Sequence, residues 1–257
     1  MKKLKIFLLF LTLVSVLSCE KDLKVYDGEN NIYFLRSVSP DRVNSALFDK
    51  IYDSLNVTFA FDPVITDSIV LIPVGITGMP ASMDREFKVS VSTASTAVGG
   101  EHYATLPASF TMHAGKIIDT IPVKIFRTPD MQTNEVTIIL ELQPNEHFKT
   151  GMVDKVANAT TGQKLSHTRF KLKANDVLAK PSKWIDAYMG TFTRKKLLLM
   201  SELLDIPVDA LNQSATSVSQ IIFYAKYMQR YLNEKKAAGE TIYEDDGTEM
   251  AMGPYAQ

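Results

Sequence analysis

Between Asn31 and Ala174 the chain is a succession of short segments in which apolar and polar residues alternate, broken at close intervals by glycine, proline and asparagine. Alternation with a period of two puts one set of side chains on each face of an extended strand, and no other feature limits the fold as much. In Ile118–Arg127, Ile121, Val123 and Ile125 fall on one face while Pro122, Lys124 and Phe126 fall on the other. Phe87, Val89 and Val91 behave alike within Arg85–Thr93, and Asn31–Arg36, Leu55–Phe61, Ser68–Gly78, Ala108–Met112, Val136–Gln143 and Thr168–Ala174 complete the set. Turn signals separate them, as at Thr77-Gly78-Met79-Pro80, Val98-Gly99-Gly100 and His113-Ala114-Gly115-Lys116. Eight such strands with no helical pattern between them predict an antiparallel, immunoglobulin-like β-sandwich over residues 27–176. Pro73 and Pro122 lack a ladder donor, which predicts that their strands are edges or bulged, with Lys124 blunting an exposed edge. The stretch Asp154–Gln163 reads as a mobile surface loop.

At Lys180-Pro181 the pattern changes, and residues 177–257 read as a smaller helical region, making the chain mainly β and α+β overall. Ser217–Ala238 spaces Ile221, Tyr224, Ala225, Met228, Tyr231 and Leu232 by threes and fours, with Gly239 as its C-cap. A second helix is predicted over Arg194–Leu204, with Thr193 as N-cap and Pro207 beyond its end. Thr241–Met250 reads as a terminal hairpin turning at Asp246-Gly247, and Trp184 as an anchor of this region on the sandwich.

The N-terminus constrains location. Lys2, Lys3 and Lys5 precede an uncharged apolar run of twelve residues, Ile6 to Leu17. As a helix it would cover roughly 18 Å of a hydrocarbon core about 30 Å thick, so residues 1–18 read as a signal peptide rather than a membrane span. Val16-Leu17-Ser18-Cys19 resembles a lipobox, although Leu17 stands where a small residue is usual. Cys19 is the one cysteine of the chain, so no internal disulfide explains it. Lipidation of Cys19, with palmitate-like acyl chains, is the expected modification, and residues 19–26 become a lipid-anchored tether. Several acyl chains hold firmly where one holds marginally.

Removing the three signal lysines leaves 25 basic residues against 29 acidic ones, a net charge of about −4. That balance argues against nucleic-acid binding, which needs concentrated basic surface.

No nucleophile elbow, phosphate loop, H-E-x-x-H or C-x-x-C occurs. His102, His113, His147 and His167 are scattered; His102 and His113 flank one hairpin-like unit, yet solvated turn histidines are the better reading than a metal site. Asp245, Asp246 and Glu249 lack the spacing of an EF-hand loop. Carboxylate pairs for glycoside hydrolysis cannot be chosen among 29 acids. Trp184, Tyr188, Tyr224, Tyr227 and Tyr231 are weighed as a sugar-stacking platform, against which Tyr224 and Tyr231, like Met228, fall on the apolar face of their helix. Asp53-Ser54-Leu55, Asp67-Ser68-Ile69 and Asp119-Thr120-Ile121 match a short O-glycosylation pattern, the first judged the best placed.

Tyr26-Asp27-Gly28-Glu29-Asn30-Asn31-Ile32-Tyr33-Phe34, Ile72-Pro73-Val74-Gly75-Ile76-Thr77-Gly78 with Asp84-Arg85, and Thr96–Tyr103 resemble a family of Bacteroidetes outer-membrane lipoproteins, domain of unknown function 4843. His113-Ala114-Gly115 continues the likeness, and Trp184 with Gly190–Lys196 is similar to the family's C-terminal part. Ala97–Ile125 also resembles Calx-beta sandwich modules; the acids those modules use for calcium are not evident, so the likeness implies their fold and not the ion. Glu20-Lys21-Asp22 resembles the acidic signal that sends Bacteroidetes lipoproteins to the cell surface. The family resemblance implies association with SusC/SusD-type glycan-uptake systems and offers no catalytic residues.

The expected function is therefore that of a lipid-anchored, surface-exposed, non-catalytic accessory protein of the outer membrane. It would bind glycan or a SusC/SusD-type partner protein, need no cofactor or metal, and have a ligand-binding site that the sequence leaves unknown. A structural or adhesive component and an uncharacterised hydrolase are the alternatives.

Overall fold

A computed structural model describes residues 28–42 and 50–257. The expected signal peptide, Cys19 and the tether through residue 26 lie outside the described residues. Ten strands are formed among the described residues, in chain order: β1 (Ile32–Phe34), β2 (Ser54–Thr58), β3 (Asp67–Ile76), β4 (Arg85–Val91), β5 (Phe110–Met112), β6 (Ile118–Phe126), β7 (Val136–Gln143), β8 (Lys155–Asn158), β9 (Gln163–Leu165) and β10 (Arg169–Asn175). Among the described residues three α-helices follow: α1 (Asp186–Met189), α2 (Arg194–Leu204) and α3 (Val218–Ala237).

The strands make a three-stranded sheet, β1-β3-β6, and a five-stranded sheet, β2-β10-β7-β4-β5. Their inner faces are the alternating sets read from the sequence. Val136, Ile138, Leu140 and Leu142 are buried along β7, and Ile121, Val123 and Ile125 along β6. Phe34, Phe87, Phe148 and Phe170 fill the space between. Each such side chain contributes about 1.5–3 kcal/mol through burial, so a Leu140→Ala cavity would cost about 2–5 kcal/mol.

Three features depart from the expected arrangement. β2 pairs with β10 in parallel, Ser54 opposite Lys171 through Thr58 opposite Asn175, so the larger sheet is mixed. Alternation fixes which face a residue occupies but says nothing of strand direction. The stretch read as a mobile loop folds into the β8–β9 hairpin. Pro122 does lie on an edge strand, whereas β3, which carries Pro73, is central. β1 ends opposite Val74, however, so the ladder on that side stops just before the residue that could not donate to it.

The C-terminal region has its own core of Trp184, Leu197, Met200, Leu211, Met228 and neighbouring apolar residues, to which the sandwich adds only Ala60 among fully buried members. Trp184 thus anchors within this region, its indole Nε1 donating to the Gly190 carbonyl at 2.8 Å and its ring meeting Phe192 edge-on. The tie to the sandwich is polar instead, through Asp176 at the end of β10, which is gripped by Arg127 and Arg194. Helix α3 opens with a Ser217/Gln220 capping box and α2 with Thr193, whose hydroxyl accepts from the Lys196 amide. Such caps contribute about 1 kcal/mol each. Among the described residues no helix is long and apolar enough to cross a membrane.

Candidate functional site

The site is a cleft in the helical region, about 370 Å³ in volume, between the start of α2 and the chain after α3. Gly190 ends α1 at φ 72°, a conformation that suits glycine, and turns the chain into Thr191-Phe192-Thr193. Thr193 caps α2 and so fixes Lys196 in its first turn. On the other side the chain after α3 returns on itself at Asp246-Gly247, with the Glu244 amide donating to the Thr248 carbonyl at 2.8 Å. The following Ala251–Pro254 segment forms a further wall. It is held where the Met252 amide donates to Gln229 Oε1 of α3 at 2.9 Å and the Gly253 amide to the Tyr188 carbonyl at 2.8 Å.

Two opposite charges are buried where these elements meet. The Lys196 side chain is 3% exposed and that of Glu244 8%, with Nζ and Oε1 3.3 Å apart. Lys196 Nζ donates to the Thr191 carbonyl at 2.9 Å, and Thr193 Oγ1 donates to Glu244 Oε2 at 2.7 Å. Glu244 Oε1 receives no hydrogen bond among the described residues: the ammonium is near enough for charge attraction without the geometry of a bond. A buried acceptor left in this state costs about 1–3 kcal/mol, more for a charged group, and calls for an explanation.

The rim is acidic. Asp246 Oδ1 accepts from the Thr248 hydroxyl at 2.7 Å and from the Thr248 amide at 2.9 Å, and these two donors hold its carboxyl below the usual carboxylate range. Glu249 is engaged by Lys236 of α3 at 2.7 Å. A second hollow, lined by Lys180, Asp186 and Phe192, adjoins the cleft and shares Gly190, Thr191 and Pro254 with it. Lys196 and Glu244 both line the cleft floor, which places a donor-only ammonium beside an acceptor-only carboxylate there.

The residues weighed from the sequence are placed elsewhere or differently. His102 Nδ1 accepts from the Val98 amide at 2.8 Å, leaving Nε2 to donate to Asp130 Oδ2 at 3.0 Å. His113 pairs with Asp119 at 2.6 Å and His147 lies 3.8 Å from Glu146. Buried His167 meets Ser37 Oγ through Nδ1 at 2.8 Å, but that hydroxyl donates to the Phe34 carbonyl at 2.7 Å. The imidazole is then the donor, the reverse of what activates a serine nucleophile. Among the described residues no three metal-ligating side chains come together. Asp246 and Glu249 reach the cleft rim, while Asp245 faces Lys195 at 3.6 Å.

Of the aromatic residues, Trp184 is core, and Tyr224 and Tyr231 pack against it part-exposed. Tyr188 meets the exposed Tyr255 edge-on. Tyr227 joins Tyr224 and Phe223 in a cluster on the solvent side of α3, where Phe223 is 58% exposed and the Arg230 guanidinium lies 5.1 Å from the Tyr227 ring. Of the three glycosylation-pattern hydroxyls, Ser54 and Ser68 are half-buried and Thr120 is exposed.

The sequence reading passed over Phe223, Lys196 and Glu244, and took Thr193 only as a cap. One signal was available: Lys196 stands one turn before buried Met200 and beside buried Leu197, on the inward face of α2. Glu244 gave none, being 48 residues from the lysine it meets.

The family model described as Domain of unknown function (DUF4843) matches residues 26–206. The cleft straddles the end of that match, Gly190–Lys196 inside it and Glu244–Pro254 beyond. A search of curated proteins finds no match. Among solved structures, a candidate carbohydrate-binding protein from Bacteroides ovatus is similar at 8% identity and a TM-score of 0.35, over 58% of this chain and 37% of its own. The chain thus spans little more than a third of that protein. The apo Calx CBD1 domain is similar at 11% identity and a TM-score of 0.33, over 58% of this chain and 97% of its own. A Bacteroides ovatus protein of unknown function is similar at 13% identity and a TM-score of 0.31, over 48% of this chain and 40% of its own.

Proposed function

We propose, from the premise that the chain belongs to the DUF4843 family, that it is a lipid-anchored, non-catalytic accessory protein that binds glycan at the outer membrane. In this reading Cys19 carries the lipid, residues 19–26 form the tether, and the sandwich carries the helical region and its cleft. A SusC/SusD-type uptake system is the partner to which such a protein would deliver captured sugar.

The observation that carries the reading is the buried Lys196–Glu244 pair lining an open cleft, with Glu244 Oε1 short of a donor. In this reading Glu244 rotates to bring the buried Oε1 to the cleft surface, where a sugar hydroxyl supplies the donor and takes a hydrogen bond from Lys196 in return. Hydrogen bonds to charged groups contribute about 1.5–3 kcal/mol each, enough for selective but reversible capture.

The test is affinity electrophoresis of the purified protein through gels containing a broad panel of plant and host polysaccharides. At least one should retard it, and Glu244→Gln, which keeps the shape but not the charge, should weaken that retention by roughly 10-fold or more. No retardation across the panel sinks the reading. Release of reducing ends from the same panel would replace it with a hydrolase, and co-purification with an outer-membrane complex in the absence of any glycan retention would favour the adhesive alternative.

A further inference from the structure

We propose that the cleft sorts glycans by charge, admitting neutral sugar residues rich in hydroxyls and excluding uronic-acid and sulfated ones. This rests on the reading of the cleft as a glycan site and names the class of glycan it takes.

The donors near the cleft floor are largely committed within the protein. Thr193 Oγ1 donates to Glu244 Oε2, Thr248 Oγ1 donates to Asp246 Oδ1, and Lys196 Nζ gives one hydrogen to the Thr191 carbonyl. The acceptors are less so: Glu244 Oε1 is buried without a hydrogen bond, and Asp246, whose Oδ1 is taken by Thr248, stands with its carboxylate at the exposed rim. A ligand that fits this inventory brings hydrogens to give and asks for few in return. A neutral pyranose does so: each hydroxyl can donate to a carboxylate while accepting from the one ammonium.

The charges lead to the same class. One cation, Lys196, faces three carboxylates in the lining, Glu244, Asp246 and Glu249. Lys196 is already within ion-pair distance of Glu244, and Glu249 is neutralised from α3 by Lys236, which leaves Asp246 to set the sign. Its two bonds from Thr248 keep it ionised at neutral pH. The other two cations in the helix turn of Lys196 are engaged elsewhere, Lys195 with Asp245 and Arg194 with Asp176. An incoming carboxylate or sulfate therefore meets the charge of Asp246 at the mouth and, within, finds Lys196 already paired with Glu244, so no uncompensated cation offsets its desolvation. Lys180, in the adjoining hollow, is held by both oxygens of Asp186 at 2.7 and 2.8 Å and offers no compensating free cation.

The experiment uses oligosaccharides matched except at C6: gluco- with glucurono-, galacto- with galacturono-, and manno- with mannurono-oligosaccharides, each titrated calorimetrically into the purified full-length protein and its Glu244→Gln and Asp246→Asn variants. The expected result is binding of at least one neutral member, with its uronic counterpart 10-fold or more weaker. Asp246→Asn, a change on an exposed turn, should narrow that ratio at least 3-fold, and Glu244→Gln should weaken the neutral ligand. A uronic member binding as tightly as its neutral counterpart overturns the charge sorting while leaving glycan capture standing. Neutral binding that neither substitution alters moves the ligand out of this cleft and overturns the proposal. Binding of none of the six overturns it together with the glycan reading on which it rests.

Discussion

Arg194 holds Asp176 in a fork: its Nη2 donates to Oδ1 at 2.9 Å and to Oδ2 at 3.1 Å, and its Nη1 donates to the Asp176 carbonyl at 2.8 Å. The carboxylate is 1% exposed. Arg127, at the end of β6, grips it from the sandwich side, with Nε and Nη2 each at 3.0 Å. The position of α2, and with it Lys196, is therefore set from the sandwich by one buried acid. Removing one member of a buried charge cluster leaves the others uncompensated, at about 3–5 kcal/mol. Asp176→Asn is expected to lower unfolding stability by that amount in urea denaturation, and a loss below about 1 kcal/mol would show that the two cores do not depend on this tie.

A second acid gives a pH dependence. Glu141 of β7 lies opposite Arg169 of β10, and the arginine's hydrogen bond, outweighing burial, holds the Glu141 carboxyl below its usual range. A depressed folded pKa means that this pair stabilises the fold above the ordinary carboxylate value of about 4.3 and stops doing so as pH falls through the lower folded value. Both side chains are partly exposed, so solvent screening limits the effect to at most about 1 kcal/mol. The stability gap between wild type and Glu141→Gln should be open at neutral pH and closed in strong acid. A gap independent of pH would contradict the assignment.

Gly253 has no room for a side chain. A Cβ there would stand 2.4 Å from the Asp186 carbonyl oxygen and 2.5 Å from that of Ala187, both backbone atoms of α1. Gly253→Ala must push the C-terminal segment off α1, at about 1–3 kcal/mol, and open the wall that Met252 and Pro254 give the cleft. Faster proteolysis after Met250 together with weaker glycan retention is the expected outcome. An unchanged digestion pattern would mean that the segment is not docked as described.

Local signals carried most of the fold. Ile121, Val123 and Ile125 are buried because period two is a property of a single strand, and Thr193 and Ser217 cap their helices because capping is decided within four residues. The β8–β9 hairpin was missed because Lys155, Lys164 and the glycine and threonines of its turn present no apolar stripe. The parallel β2–β10 pair is set by chain path across more than a hundred residues, beyond the reach of any window. The same holds for the site: Lys196 and Glu244 are unremarkable in sequence and become a pair only once α3 has brought the tail back over α2. Phe223 was passed over because it stands off the 3/4 spacing that marks the buried face.

The anchor is tested apart from the fold. Cys19→Ala should lose incorporation of labelled fatty acid and leave the membrane fraction, since holding on to the bilayer needs more than one acyl chain's worth of apolar contact. Retention of both label and membrane association would remove Cys19 from the account.

The central claim, that sugar enters the cleft beside Lys196 and Glu244, is tested most directly through Met252, which lines the cleft at 3% exposure, while Met112 and Met131 lie fully buried in the sandwich core. In methyl-labelled methionine NMR spectra, titration with neutral oligosaccharides should shift the Met252 resonance and leave those of Met112 and Met131 in place. Saturable sugar binding with Met252 unmoved, or no shift with any sugar, would contradict it.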